Sequence, residues 1–396
     1  MKSERVINVG VKSADSIEVV FSGDYLCKGI KCHGEYCFGH DLSEELLFTP
    51  SSDDCFFTLK DVTIGIDFHW QMNENQSFKG ALKLFVKNGV LIAVNIIGIE
   101  DYLTSVISSE MSATAPLEFL KAHAVISRSW VIRQLERKIE AGRGEGIKDS
   151  PEELVRWQES EDHLYFDVCA DDHCQRYQGI TKAFTPEVRK AVEETWGEVL
   201  TYEGKVCDAR FSKCCGGRTE EFSTCWENVE VPYLSSIKDP FCGEATPDIL
   251  KKVLPSFDQK TTNYLDWEVS YSAEELSSLV ARRTGTDFGT ILDLIPLDRG
   301  ASGRIYRLKI VGTRRTRIIG KELEIRKTLS NSHLNSSAFE VQKLFDGFRL
   351  KGRGWGHGVG LCQIGAAVMG EKGYSYDNIL KHYYKGVSLK RLYERE

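Results

Sequence analysis

The chain has 396 residues, of which 41% are hydrophobic and 28% charged, enough for two or three domains with sizeable cores and too apolar for a disordered chain. Its formal charge of −7 argues against a nucleic-acid partner, because phosphate binding needs a basic surface, whereas a largely uncharged glycan would suit it. No run approaches the ~20 apolar residues of a membrane helix, so no transmembrane segment is expected.

The opening MKSERVINVGVKS has no apolar stretch behind its basic residues, so no signal peptide is expected in this chain. Export by another route, prior removal of a signal, and retention inside the cell all stay open. Residues 1–95 read as a β-rich module. Ser16–Phe21, Phe56–Leu59 and Leu82–Val86 are rich in β-branched and aromatic residues and alternate in polarity. Asn88-Gly89 between two apolar runs is a two-residue hairpin signal. Helical spacing then predicts helices over Ile99–Met111 and Pro116–Glu140, with Pro116 in a first-turn position. The charged segment Glu140–Glu161 reads as a loop or an exposed helix. Ala273–Thr284 reads as a helix, followed by strands near Ile291–Leu297, Arg304–Val311 and Thr316–Ile319, and a last helix is expected near Tyr376–Tyr384. The expected fold is α+β and multi-lobed. Residues 1–95 form the N-terminal β-rich module, 96–243 and 345–396 a helical and strand core, and 244–344 an inserted α+β lobe.

Three segments carry chemistry. In Ile99–Met111, Leu103, Val106, Ile107, Glu110 and Met111 share one helical face, so Glu110 stands where leucine is expected. A carboxyl against apolar walls favours its protonated form, the property a general acid for glycosidic cleavage needs. The alternative is a glutamate at a frayed helix end facing solvent. Gly352-Arg-Gly-Trp-Gly-His-Gly-Val-Gly-Leu-Cys-Gln-Ile-Gly365 lets backbone approach a ligand closely. Trp355 offers a face for a sugar ring, and His357 and Gln363 offer polar contacts; a tight turn around a packed Trp is the alternative. It lacks the Gly-Lys-Ser/Thr of a phosphate loop. His163, Cys169, His173 and Cys174 lie within twelve residues, a donor set that suits tetrahedral zinc. A simple Cys/His cluster is the other reading, since adjacent His173 and Cys174 need not reach one ion. Twelve cysteines are too few for a disulfide scaffold, and neither reduced thiols nor disulfides are excluded. Cys27, Cys32 and Cys37 with His33 are read as plain thiols rather than a metal site, and Cys214–Trp226 as a strand end and glycine turn before an exposed helix or loop.

Taken in order, these segments resemble the SpoIID/LytB family of sporulation-associated lytic transglycosylases and amidase enhancers. The matching segments are Glu100-Asp-Tyr-Leu with Ser109-Glu-Met, Pro116 to Val125, Phe166-Asp-Val-Cys, His173-Cys-Gln-Arg-Tyr-Gln-Gly, Gly216-Gly-Arg-Thr-Glu, Pro232-Tyr-Leu, Ser302-Gly-Arg and Gly354-Trp-Gly-His-Gly-Val-Gly-Leu-Cys-Gln. They span roughly residues 81–396, leaving the first 80 uncovered. The resemblance implies Glu110 as the acid–base residue and peptidoglycan glycan strands as substrate, cleaved to an anhydro-muramoyl end. It implies a zinc site at Cys169, Cys174 and His163, with His173 as the further candidate, and no organic cofactor. Trp355, His357, Gln363 and Tyr177 are expected to position substrate. A cell-envelope or periplasmic location follows from the family. The rival expectation is a non-catalytic peptidoglycan-binding enhancer of a cell-wall amidase, and a third is a zinc hydrolase using the Cys/His group. Cys214 and Cys215 stand where the family usually has small hydroxyl residues.

Overall fold

The computed structural model describes residues 3–66, 71–140, 146–157, 163–261 and 263–395. The first hundred residues form strands β1 (Val6–Ala14), β2 (Ser16–Cys27), β3 (Ile30–Gly39), β4 (Leu46–Pro50), β5 (Phe56–Ile64), β6 (Met72–Phe78), β7 (Ala81–Lys87) and β8 (Val90–Gly98). The sheet runs Val168–Cys169, β1, β8, β7, β4, β2, β5, β6, with β3 branching from β2. Asn88 and Gly89 both take positive φ, 51° and 77°, the requirement of the tight hairpin that joins β7 to β8. One face of each long strand is buried: Phe57, Leu59, Val62 and Ile64 on β5, and Leu82 and Leu84 on β7.

β8 runs directly into helix α1 (Ile99–Glu110), which packs on α2 (Leu117–Glu140). Nearly every α1 residue is buried, so the helix lies inside the molecule rather than on it. Its first turn is pinned by a buried ion pair. Arg128 donates to both Glu100 oxygens, at 2.8 and 2.6 Å, and to the Glu198 carbonyl at 2.8 Å. Tyr393 Oη donates to the same carboxylate at 2.7 Å. One apolar core runs without interruption from the β-sheet through α1 and α2 to the helices Gln363–Glu371 and Tyr376–Tyr383.

A second apolar cluster includes Trp267, Leu276, Phe288, Leu308, Phe339 and Leu350. Its helix Ala273–Thr284 opens on a capping box made by Ser272 and Glu275. Strands Ile291–Arg299, Ile305–Gly312 and Thr316–Gly320 form its sheet, extended by Glu153–Arg156 and Ile147–Asp149. The segment expected as a loop or exposed helix therefore contains two short strands. Only Leu154 of the inner one is buried, too little apolar pattern to mark a strand; residues 141–145 and 158–162 lie outside the described residues. The stretch after Cys215 also departs from expectation, because helix Phe222–Cys225 is buried rather than exposed. The fold is mixed α+β, and no described helix is long and apolar enough to cross a membrane.

Candidate functional site

Glu110 ends α1, yet it is only 7% exposed, so the solvent-facing alternative does not hold. The reason is the chain laid across the helix C-terminus. Val168–Cys169 pairs with β1, turns through Asp171–Cys174, and returns along α1. The Gln178 N–H donates to Ser105 Oγ and Ser109 Oγ at 3.1 and 3.2 Å, and the Arg176 N–H donates to Glu110 Oε1 at 2.9 Å. Small hydroxyls at Ser105 and Ser109 leave room for backbone to lie on the helix.

The other side of Glu110 is built by two short parallel strands, Phe211–Ser212 and Leu361–Cys362. Their pairing places the next residues, Lys213 and Gln363, side by side, and the Ile364 N–H donates to the Lys213 carbonyl at 3.1 Å. Gln363 Nε2 donates to Glu110 Oε2 at 3.3 Å and lies 3.0 Å from His123 Nε2. Lys213 Nζ donates to the Glu110 carbonyl at 2.6 Å and to Asp258 at 3.0 Å. Arg176 donates to Asp172 at 2.7 Å and to Asp258 at 2.8 Å. Two buried cations thus face the buried Asp258 and the half-buried Asp172 beside Glu110. Burial disfavours the Asp258 carboxylate, but Arg176 and Lys213 outweigh it and lower its pKa; burial raises that of Asp172 despite Arg176. Burial, reinforced by Lys213, pushes His123 down to about 3, so its imidazole is neutral at physiological pH.

Of the expected positioning residues, Gln363 touches the Glu110 carboxyl. Trp355 is half-buried, with Lys213 Nζ 5.9 Å from its ring centre. His357 is engaged elsewhere: its Nδ1 accepts the Val359 N–H at 3.0 Å and its ring meets Trp226 edge-on at 4.9 Å. Tyr177 belongs to the core, 1% exposed, stacked on Tyr102 and donating to Asn95, so no face of it is open to a sugar ring. The glycine run wraps a side chain rather than a cleft. The buried Arg304 guanidinium donates to the Gly356, Cys214 and Cys215 carbonyls. A Cβ at Gly358, whose φ is +79°, would lie 2.5 Å from that guanidinium.

His163, Cys169, His173 and Cys174 do converge, with one donor atom from each within 4.8 Å of the others. The His163 Nε2–His173 Nδ1, His163 Nε2–Cys174 Sγ and His173 Nδ1–Cys174 Sγ separations are 3.2, 3.3 and 3.7 Å. Ordinary Zn–N and Zn–S bonds make tetrahedral edges of about 3.3–3.8 Å, so the adjacent pair His173 and Cys174 reaches a common centre. Hydrogen bonding from Cys174, then from the two imidazoles, draws the Cys169 thiol down toward its thiolate. Cys174 stands two residues before Arg176, so an ion here would fix the loop that delivers the Arg176 N–H to Glu110.

Sequence reasoning missed Arg176, Lys213, Asp172, Asp258 and His123. His123 carried a signal, a lone polar ring in the apolar spacing of α2. Lys213 and Asp258 carried none, because each is defined by partners distant in sequence.

A family model described as stage II sporulation protein matches residues 87–202, and one described as a domain of unknown function matches 220–360. The chain is 30% identical over 312 residues to an uncharacterized protein of Brachyspira hyodysenteriae, covering 79% of this chain and 72% of that protein. It is 27% identical over 300 residues to stage II sporulation protein D of Bacillus subtilis, covering 75% and 76%. It is also 28% identical over 314 residues to the amidase enhancer of Bacillus subtilis, covering 72% of this chain and 40% of that protein.

Proposed function

The chain belongs to the stage II sporulation protein D family, and on that premise we propose that it acts on the cell wall at the cell envelope, cleaving peptidoglycan glycan strands as a lytic transglycosylase with Glu110 as general acid and base. The observation that carries this reading is the buried Glu110 carboxyl, held from both sides by the Arg176 N–H and Gln363 Nε2. In the first step Glu110 gives its proton to the glycosidic oxygen between N-acetylmuramic acid and N-acetylglucosamine, and the bond from that oxygen to the muramoyl C1 breaks. In the second, the muramoyl C6 hydroxyl oxygen bonds to C1 and returns its proton to the Glu110 carboxylate. No water is consumed and the carboxyl ends as it began, so one carboxyl suffices where hydrolases use two. Asp258 is held ionised by Arg176 and Lys213, so it is not the carboxyl that gives up the proton.

Gln363 orients the Glu110 carboxyl, Trp355 offers its half-buried ring to a sugar face, and His357 and Tyr177 act at one remove by fixing the loops around them. A zinc ion held by His163, Cys169, His173 and Cys174 would supply a structural cross-link. The test is mass spectrometry of purified glycan strands, intact and peptide-stripped, after incubation with the parent chain and with Glu110→Gln. Anhydro-muramoyl ends from the parent alone support the proposal. The similarity to an amidase enhancer supports a second reading, a non-catalytic glycan-binding partner of a cell-wall amidase. It predicts no glycan product from either protein, and amidase stimulation that survives Glu110→Gln.

A further inference from the structure

A second group of metal-type donors lies apart from the Cys/His cluster. Cys215, Asp239, Cys242 and Cys362 place one donor atom each within 4.8 Å of the others, and all four residues are at most 2% exposed. We propose that the thiolates of Cys215, Cys242 and Cys362 and one carboxylate oxygen of Asp239 form a second, fully buried zinc site, which ties together the two segments flanking Glu110.

The geometry fits a single tetrahedral centre. Cys215 Sγ is 3.7 Å from Cys242 Sγ and 3.2 Å from Asp239 Oδ2, against edges of about 3.5–3.8 Å expected from ordinary Zn–S and Zn–O bonds. The surrounding groups hold the donors as outer partners of a metal do. Tyr383 Oη donates to Asp239 Oδ2 at 3.1 Å, the Phe241 N–H donates to Oδ1 at 3.1 Å, and the Cys215 N–H donates to Cys362 Sγ at 3.2 Å. Charge points the same way. Asp239 is wholly buried, its hydrogen-bond partners are uncharged, and no Lys or Arg pairs with it among the described residues. A buried carboxylate needs a cation, and three thiols select a soft one such as zinc over magnesium or calcium. Cys214 is also buried, but its thiol does not belong to the group of donors that lie within 4.8 Å of one another.

The donors come from three stretches of chain. Cys215 lies two residues after Lys213, Cys362 directly precedes Gln363, and Asp239 and Cys242 lie on a separate turn. The ion would therefore clamp the pair of strands that presents Lys213 and Gln363 to Glu110.

The full chain carrying Cys169→Ser and Cys174→Ser, which disables the Cys/His cluster, is titrated with Co²⁺ under reducing conditions after circular dichroism shows the parent fold. The proposal expects one cobalt per chain, with a thiolate-to-cobalt charge-transfer band of three-thiolate intensity that falls by a third when Cys242→Ser is added and is displaced by zinc. No cobalt uptake by the folded variant overturns the proposal. So does a band of any other thiolate count, or a Cys215–Cys242 disulfide seen by mass spectrometry. Should the double substitution abolish folding, the parent chain decides: two zinc ions per chain by elemental analysis support the site, and one or none overturns it.

Discussion

Glu110→Gln should remove turnover while leaving the fold almost untouched, because the surrounding hydrogen bonds can rearrange to suit an amide. The introduced amide would keep its oxygen toward the Arg176 N–H, now 2.9 Å from Glu110 Oε1. Its NH2 group would face Gln363 Nε2, which lies 3.3 Å from Oε2, and two donors would clash. Turning the Gln363 amide over puts its oxygen there instead. His123 Nε2, 3.0 Å away, must then donate, and a neutral imidazole does so by moving its proton from Nδ1. The Ser127 hydroxyl, 3.2 Å from Nδ1, donates in return. Each of these contacts keeps a donor facing an acceptor, so the stability cost is about 0.5–1.5 kcal/mol. With an unfolding entropy of about 2.1 cal/mol/K per residue over 396 residues, that is about 1–2 °C in Tm. Loss of general acid–base catalysis is worth about 10²–10⁴ in rate, or about 3–5 kcal/mol. Thermal unfolding and release of anhydro-muramoyl ends, measured on the same protein, separate the two effects. Turnover within tenfold of the parent would refute the role of Glu110, and a Tm loss beyond about 5 °C would refute the rearrangement.

Three further outcomes are expected. His123 is neutral in the fold with its pKa near 3 against about 6.5 unfolded, so the unfolded chain binds the extra proton and stability falls as pH drops below 6.5. The loss is about 2 kcal/mol at pH 5, and in denaturant titrations across pH it should vanish in His123→Gln. Arg128→Met leaves the buried Glu100 carboxylate without its cation and should cost about 3–5 kcal/mol, about 4–6 °C in Tm; Glu100→Gln in the same chain should recover much of it in a double-mutant cycle. Zinc at about a thousand times its dissociation constant should stabilise the parent by about 4 kcal/mol through the Cys/His cluster, read as the part of the zinc-dependent Tm increment that Cys174→Ser removes.

The elements that the sequence disclosed are those whose signals are local. The Asn88-Gly89 hairpin, α1, the capping-box helix at Ala273 and the strands that follow it all rest on periodicity or turn chemistry within a few residues. Glu110 was legible for the same reason, a carboxyl on an apolar helical stripe. The Cys/His donors were legible as residue types, but that adjacent His173 and Cys174 share one centre depended on the turn after Cys169. What stayed hidden depends on long-range pairing. Lys213 meets Gln363 only because Phe211–Ser212 pairs with Leu361–Cys362, and Asp258 matters only through Arg176 and Lys213. The glycine run misled in an instructive way: its freedom serves the close approach of Arg304, 52 positions upstream of Gly356.

The contact between Gln363 and Glu110 bridges 253 positions of chain, and synthesis at about 5–20 residues per second separates their emergence by roughly 10–50 s. Throughout that interval a nascent chain holds α1 complete but its terminal carboxyl open on one side. The site is therefore assembled among the last events of biogenesis, and on the catalytic reading a ribosome-bound or prematurely terminated product carries the acid–base residue without the geometry to use it.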